Sequence, residues 1–151
     1  MESIEVVLPE GRKLESTDAL QKFDEHLNVN TRKRMVRILQ SIEGGSNLPK
    51  ICRAIMRSLL TNKVMSMYSV VGQKGKLPFK NLEIAKIIMR TIKKSTLDKF
   101  KENEIFYEIG EVLSNAPNQP GGINYERRHR ARRERSGTQH PRMDEEEESD
   151  H

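Results

Sequence analysis

The sequence predicts an all-α protein: a compact bundle of about five helices, with a short extended N-terminal lead-in and a disordered C-terminal tail. Two observations carry that prediction. Successive stretches between Ser16 and Asn115 place apolar residues three and four apart, the spacing that lines one side of an α-helix. The gaps between them hold Ser, Asn, Gly and Pro, which start and stop helices.

Residues 1–13 form the lead-in, with Val6, Val7 and Leu8 suited to an extended piece before Pro9-Glu10-Gly11. Ser16 or Thr17 is placed to cap a first helix, and Asp18 complements its dipole. Leu20, Phe23 and Leu27 give that helix an apolar edge, and Asn28 and Asn30 end it. A second helix over 31–43 turns Met35, Val36, Ile38, Leu39 and Ile42 inward. It leaves Arg32, Lys33, Arg34 and Arg37 mainly outside and stops at Gly44-Gly45. Asn47 or Ser46 caps a third helix, with Pro49 in its first turn and Ile51, Ile55 and Leu59 as its core stripe. Lys50, Arg53 and Arg57 line its far side.

A short helical turn over 62–67 leads to the loop 68–80, where Gly72 and Gly75 supply turn freedom and Pro78 blocks a helix. Asn81 is the expected cap of a fourth helix over 82–94. Its Ile84, Ala85, Ile87, Ile88, Met89 and Ile92 share one broad side, opposite Lys86, Arg90, Lys93 and Lys94. A last helix over 103–115 buries Ile105, Phe106, Ile109, Val112 and Leu113 and exposes Glu104, Glu108 and Glu111. The helical domain therefore spans 14–116. After it, Pro117, Pro120, Gly121 and Gly122 mark a linker. Arg127–Arg135 then packs six arginines into nine residues, and Asp144–Asp150 holds six acids. Such blocks bury too little apolar surface to order themselves, so 117–151 is expected to be disordered.

Composition removes several functions. No apolar run approaches the roughly 18 residues of a membrane helix, and Glu2 and Glu5 stand where a signal peptide would carry Lys or Arg. A soluble, non-secreted protein is expected. Cys52 is the one cysteine, so no intramolecular disulfide forms, and it is expected to pack in the core of the third helix rather than act as a nucleophile. His26, His129, His140 and His151 are scattered, and no pair has metal-ligand spacing. The glutamates of the last helix have no His or Lys placed to make an acid–base pair. No enzyme activity, metal or cofactor is expected.

Charge is the strongest functional signal. The net charge of +5 conceals segregation: residues 30–94 hold 15 basic side chains against 2 acidic ones, Glu43 and Glu83. Residues 1–29, with 3 basic and 7 acidic side chains, and 95–120, with 2 and 5, are acidic. A charge run is ordinarily a solvated surface, but soluble surfaces mix signs to limit repulsion. This middle segment does not, which suits a polyanion partner. Gly72-Gln73-Lys74-Gly75-Lys76 invites comparison with a phosphate loop. Val70 and Leu77 stand where that motif needs Gly and Ser or Thr, so nucleoside triphosphate binding is not expected. A turn with exposed lysines remains one reading. A backbone nest with Lys74 and Lys76 on a nucleic-acid phosphate is the other.

The stretch LPEGRKLESTDALQKFDEHL, the basic helix ending Ile42-Glu43-Gly44-Gly45, Leu59-Leu60-Thr61-Asn62 and Tyr68-Ser69-Val70-Val71-Gly72-Gln73-Lys74-Gly75-Lys76-Leu77-Pro78-Phe79-Lys80-Asn81-Leu82 resemble the domain of unknown function 4806 family. The resemblance covers roughly residues 8–116 and implies a fold rather than an activity. Val70 stands where members of that family often carry Trp, and this chain has no Trp, so no aromatic stacking platform is expected. The loop-then-helix layout is also similar to that of BEN domains, helical modules that bind DNA or partner proteins.

The expectation is a non-enzymatic nuclear module that engages duplex DNA through the loop and helix at 72–94. Lys74, Lys76 and Lys80 would grip phosphates, Lys86, Arg90, Lys93 and Lys94 would run along a groove, and Arg53 and Arg57 would extend the patch. The alternative is an adaptor that meets an acidic protein through the same surface. Low aromatic content, 5%, speaks against single-stranded RNA. The arginine run fits a nuclear-import signal, a sequence-blind nucleic-acid arm or a soluble tail, and the acidic end is a candidate to fold back on the basic surface.

Overall fold

A computed structural model describes residues 2–42 and 47–139, the last four without their side chains. The architecture is all-α, as expected, with one two-stranded ribbon. The helices are α1 (Thr17–Glu25), α2 (Val29–Gln40), α3 (Leu48–Leu59), α4 (Asn62–Met65), α5 (Glu83–Ser95), α6 (Glu102–Asn115) and α7 (Ile123–Gln139). Strands β1 (Tyr68–Ser69) and β2 (Leu77–Pro78) pair in parallel.

α5 lies at the centre. It packs along α2 and touches α1, α3 and α6, while α3 packs on α6. Ile84, Ile88 and Ile92, one turn apart, are wholly buried. So are Leu20 of α1, Met35 of α2, Leu59 of α3 and Ile105 of α6.

Caps locate most helix starts. Ser16 Oγ accepts from the Ala19 amide at 3.0 Å and Asn47 Oδ1 from the Lys50 amide at 3.0 Å. Asn28, expected to end the first helix, instead begins the second: its Oδ1 accepts from the Thr31 amide at 2.8 Å, so α2 starts at Val29. Gly44-Gly45 lies outside the described residues.

The start of α5 corrects the expectation for Asn81. Leu82 occupies the cap position and offers no side-chain acceptor. The caps come from Asp24 of α1, whose Oδ2 accepts from the Glu83 amide at 2.9 Å and Oδ1 from the Ile84 amide at 2.7 Å. Asp24 sits on the buried side of α1 with Leu20. A carboxylate there satisfies two orphan amides and meets the positive end of the α5 dipole.

The lead-in is not extended. It forms two 3-10 turns, Ile4–Val6 and Pro9–Gly11. Positive φ at Glu10 (55°) and Gly11 (68°) redirects the chain, and Ile4 and Leu8, four residues apart, are both buried. Burial of that apolar pair selects turns over a strand. Leu14 then joins the chain to the end of α3: its amide donates to Leu59 O at 2.9 Å, and its carbonyl accepts from the Thr61 amide at 3.1 Å.

The glycine-rich loop is a pinned finger. Amides of Leu77, Phe79 and Lys80 donate to carbonyls of Met67, Ser69 and Val70 at 2.8–2.9 Å. Tyr68 and Phe79 anchor its two ends in the core, ring centroids 5.9 Å apart and edge to face. At Gly72 (φ 81°) a Cβ would crowd Lys76 O at 3.2 Å and Pro78 at 3.3 Å. The Tyr68 hydroxyl is buried with no hydrogen-bond partner among the described residues, and burial, then the Asp24 charge, pushes its phenol pKa up. An unpartnered buried hydroxyl opposes folding. Tyr68→Phe is therefore expected to raise urea-unfolding stability by about 1 kcal/mol or leave it unchanged; a loss of that size would reveal a partner for the hydroxyl.

The expected disorder of 117–151 is corrected in part. Ala116–Asn118 forms a 3-10 turn and 123–139 is helical. The composition argument holds for burial, since Arg127–Arg135 contributes nothing to the core. It fails for backbone conformation, because Arg, Ala and Glu favour helix without packing. The acidic block 144–150 lies outside the described residues.

Candidate nucleic-acid interface

The basic side chains of α5 owe their position to its buried side. With Ile84, Ile88 and Ile92 inward, Lys86, Arg90 and Lys94 stand one turn apart on the outside. α2 runs beside α5 and presents Lys33 and Arg37, also one turn apart and exposed. Between the two helices lies a groove of about 450 Å³. Buried Val36 and Ile87 contribute to its lining. Its cations are Arg32, Lys33 and Arg37 from α2 and Lys86, Arg90 and Lys94 from α5.

Some of that charge is paired. Glu83 accepts from Arg32 across the helix pair and from Lys86 Nζ at 2.9 Å. Lys86, then Arg32, holds the Glu83 carboxyl below the usual carboxylate range. Glu2 of the lead-in accepts from Arg34, whose guanidinium holds the Glu2 carboxyl below the usual carboxylate range, and reaches Arg37 at 3.5 Å. These exposed and half-exposed surface pairs contribute little stability individually. Lys33, Arg90 and Lys94 have no ion-pair partner among the described residues. The groove therefore keeps an excess of positive charge beside an apolar stripe, which suits a chain of phosphates.

On the other side of α5, towards α6, a groove of about 540 Å³ is lined by Lys80, Lys86, Arg90, Lys93 and Lys94. Asp98, Glu102, Met89 and Phe106 share its walls, so its charge is mixed. Lys80 Nζ sits 5.3 Å from the Phe106 ring centroid, a cation–π distance.

The structure thus brings together Lys80, Lys86, Arg90, Lys93 and Lys94 of the expected site. Arg53 and Arg57 are exposed on α3 and line neither groove. Lys74 and Lys76 belong to the finger and also line neither. Two amides the nest reading needs are engaged internally: Gln73 N donates to Ser69 Oγ at 2.7 Å and Lys76 N to Gln73 O at 3.0 Å. Arg32, Lys33 and Arg37 join the site instead. Their spacing in the sequence marks them as an exposed basic side, but only the packing of α2 on α5 makes them a second wall.

No family model, no curated protein and no solved structure matches this chain.

Cys52 is buried, and burial first, with the Glu108 charge adding, pushes its thiol pKa up to about 12. A thiol so placed stays protonated and unreactive. Among the described residues no cluster of His, Cys, Asp and Glu is arranged to hold a metal ion, and no helix is long and apolar enough to cross a membrane.

Proposed function

We propose that this protein is a non-enzymatic nuclear module that binds duplex DNA along the α2–α5 groove. The observation that carries the reading is the convergence of six cations from two helices on one groove, three of them without an ion-pair partner among the described residues. Rows of Lys and Arg one turn apart on two facing helices concentrate positive charge along one groove, which favours a polyanion, and guanidinium forks bind phosphate oxygens in pairs. α5 is held at its N-terminus by Asp24 and along its length by the core, so its row is rigid before it meets a ligand.

The mixed α5–α6 groove, with Met89 and Phe106 beside its lysines, favours a second reading, an adaptor for an acidic protein segment. Titration of a labelled DNA duplex across a salt series separates the two. A DNA-binding groove gives log affinity falling linearly with log salt, with a slope of about −3 or steeper, about −0.9 for each of Lys33, Arg90 and Lys94. Negligible affinity at low salt removes the DNA reading and leaves the adaptor.

A further inference from the structure

We propose that α7 is a second nucleic-acid contact, a helix that enters the major groove of duplex DNA with arginines reaching the phosphates on both walls. The inference deepens the DNA reading of the α2–α5 groove but stands on different residues.

The first observation is the joint at the root of α7. A Cβ at Gly122 would lie 2.1 Å from Ala116 O and 2.7 Å from the carbonyl of Pro117, so only glycine fits. The Gly122 amide donates to Gln119 O at 2.8 Å and the Asn62 side-chain amide to Pro120 O at 3.0 Å. Asn124 Nδ2 donates to Asn118 Oδ1 at 3.2 Å. α7 is thus fastened to the body at its first turn, with a set direction of departure.

The second observation is the arrangement of charge beyond that joint. Arg127, Arg128, Arg130, Arg132, Arg133 and Arg135 are all exposed. At 100° per residue they spread over about 260° of the helix, and the remaining sector of about 100° holds half-buried Tyr125 and His129, whose rings lie 4.1 Å apart. Glu126 and Glu134, one turn either side of Arg130, offset only part of this charge, and like charges at helical spacing weaken a helix unless anions meet them. A helix lying against one strand of phosphates would need arginines on one side only. Arginines on opposite flanks, Arg128, Arg132 and Arg135 on one and Arg130 and Arg133 on the other, suit a site with phosphates on both sides.

The major groove of B-DNA is that site: about 12 Å wide, it admits one α-helix between two phosphate backbones. The 17 residues of α7 span about 25 Å, less than one helical turn of DNA, about 34 Å. The major groove of A-form RNA is too deep and narrow for the same fit. Guanidinium, rather than ammonium, suits paired contacts to phosphate oxygens and to guanine edges.

The decisive test keeps every charge and breaks the helix. Ala131 is exposed in mid-helix, so Ala131→Pro disrupts α7 without touching the core; Ala131→Ser is the control. Both full-length variants are titrated by anisotropy against a DNA duplex and an RNA duplex over a salt series. Ala131→Pro should bind DNA about tenfold more weakly near 0.1 M salt, with a log–log slope shallower by about 2. Its thermal unfolding should match that of the parent, and Ala131→Ser should bind like the parent. Unchanged affinity and slope in Ala131→Pro would show a flexible charged arm and overturn the proposal, as would preference for the RNA duplex. If Ala131→Pro binds normally while loss of Lys33, Arg90 and Lys94 weakens binding, the α2–α5 groove stands and α7 does not. No DNA binding by the parent chain removes both.

Discussion

Asp24→Ala is expected to lower unfolding stability by about 3 kcal/mol, a large part of the 5–15 kcal/mol typical of a domain. The carboxylate accepts the first two free amides of α5, at 2.9 and 2.7 Å, in a site only 9% exposed. Hydrogen bonds to a charged group contribute roughly 1.5–3 kcal/mol each, and alanine leaves buried donors without an acceptor. Because α5 contacts α1, α2, α3 and α6, fraying its start loosens the whole core. Asp24→Asn keeps the shape and one acceptor oxygen, so about half the loss is expected. Urea unfolding reads both: the midpoint should fall while the m-value holds. A loss below about 1 kcal/mol for the alanine variant would mean that water replaces the carboxylate.

The triple substitution Lys33→Ala, Arg90→Ala and Lys94→Ala is expected to reduce duplex DNA affinity by on the order of 10²-fold near 0.1 M salt and to make the log–log slope shallower by about 3. None of the three has an ion-pair partner among the described residues, so the fold should keep its melting temperature. The matched control is Arg53→Ala with Arg57→Ala, which removes exposed charge from α3, away from both α5 grooves. It should leave the slope within about 0.5 of the parent, apart from any loss of general attraction. Equal effects from both variants would mean that DNA responds to net charge and not to the α2–α5 groove.

How far these expectations were legible from sequence varies with the range of the interaction. The buried side of α5 follows from helical spacing alone: Ile84, Ala85, Ile87, Ile88, Met89 and Ile92 are all buried as expected. The caps at Ser16 and Asn47 were legible because acceptor and amide lie three residues apart. The Asp24 cap was not, since its donors are 59 and 60 residues away and no local pattern distinguishes Asp24 from a surface acid. Tyr68 and Phe79 sat in a stretch dominated by Gly and Lys, so their anchoring role emerges only once the finger closes on the core.

By itself, then, the sequence determined the helical class, the buried stripes of α3 and α5 and a middle segment with 15 basic residues against 2 acidic ones. All of these depend on spacing and composition within one segment. Tertiary structure decided which basic sides meet. It placed Lys33 and Arg37 opposite Arg90 and Lys94 and left Arg53 and Arg57 outside that groove. The reason is physical: helical periodicity states which side of a helix faces inward, while partner choice depends on how all the apolar sides close around one core.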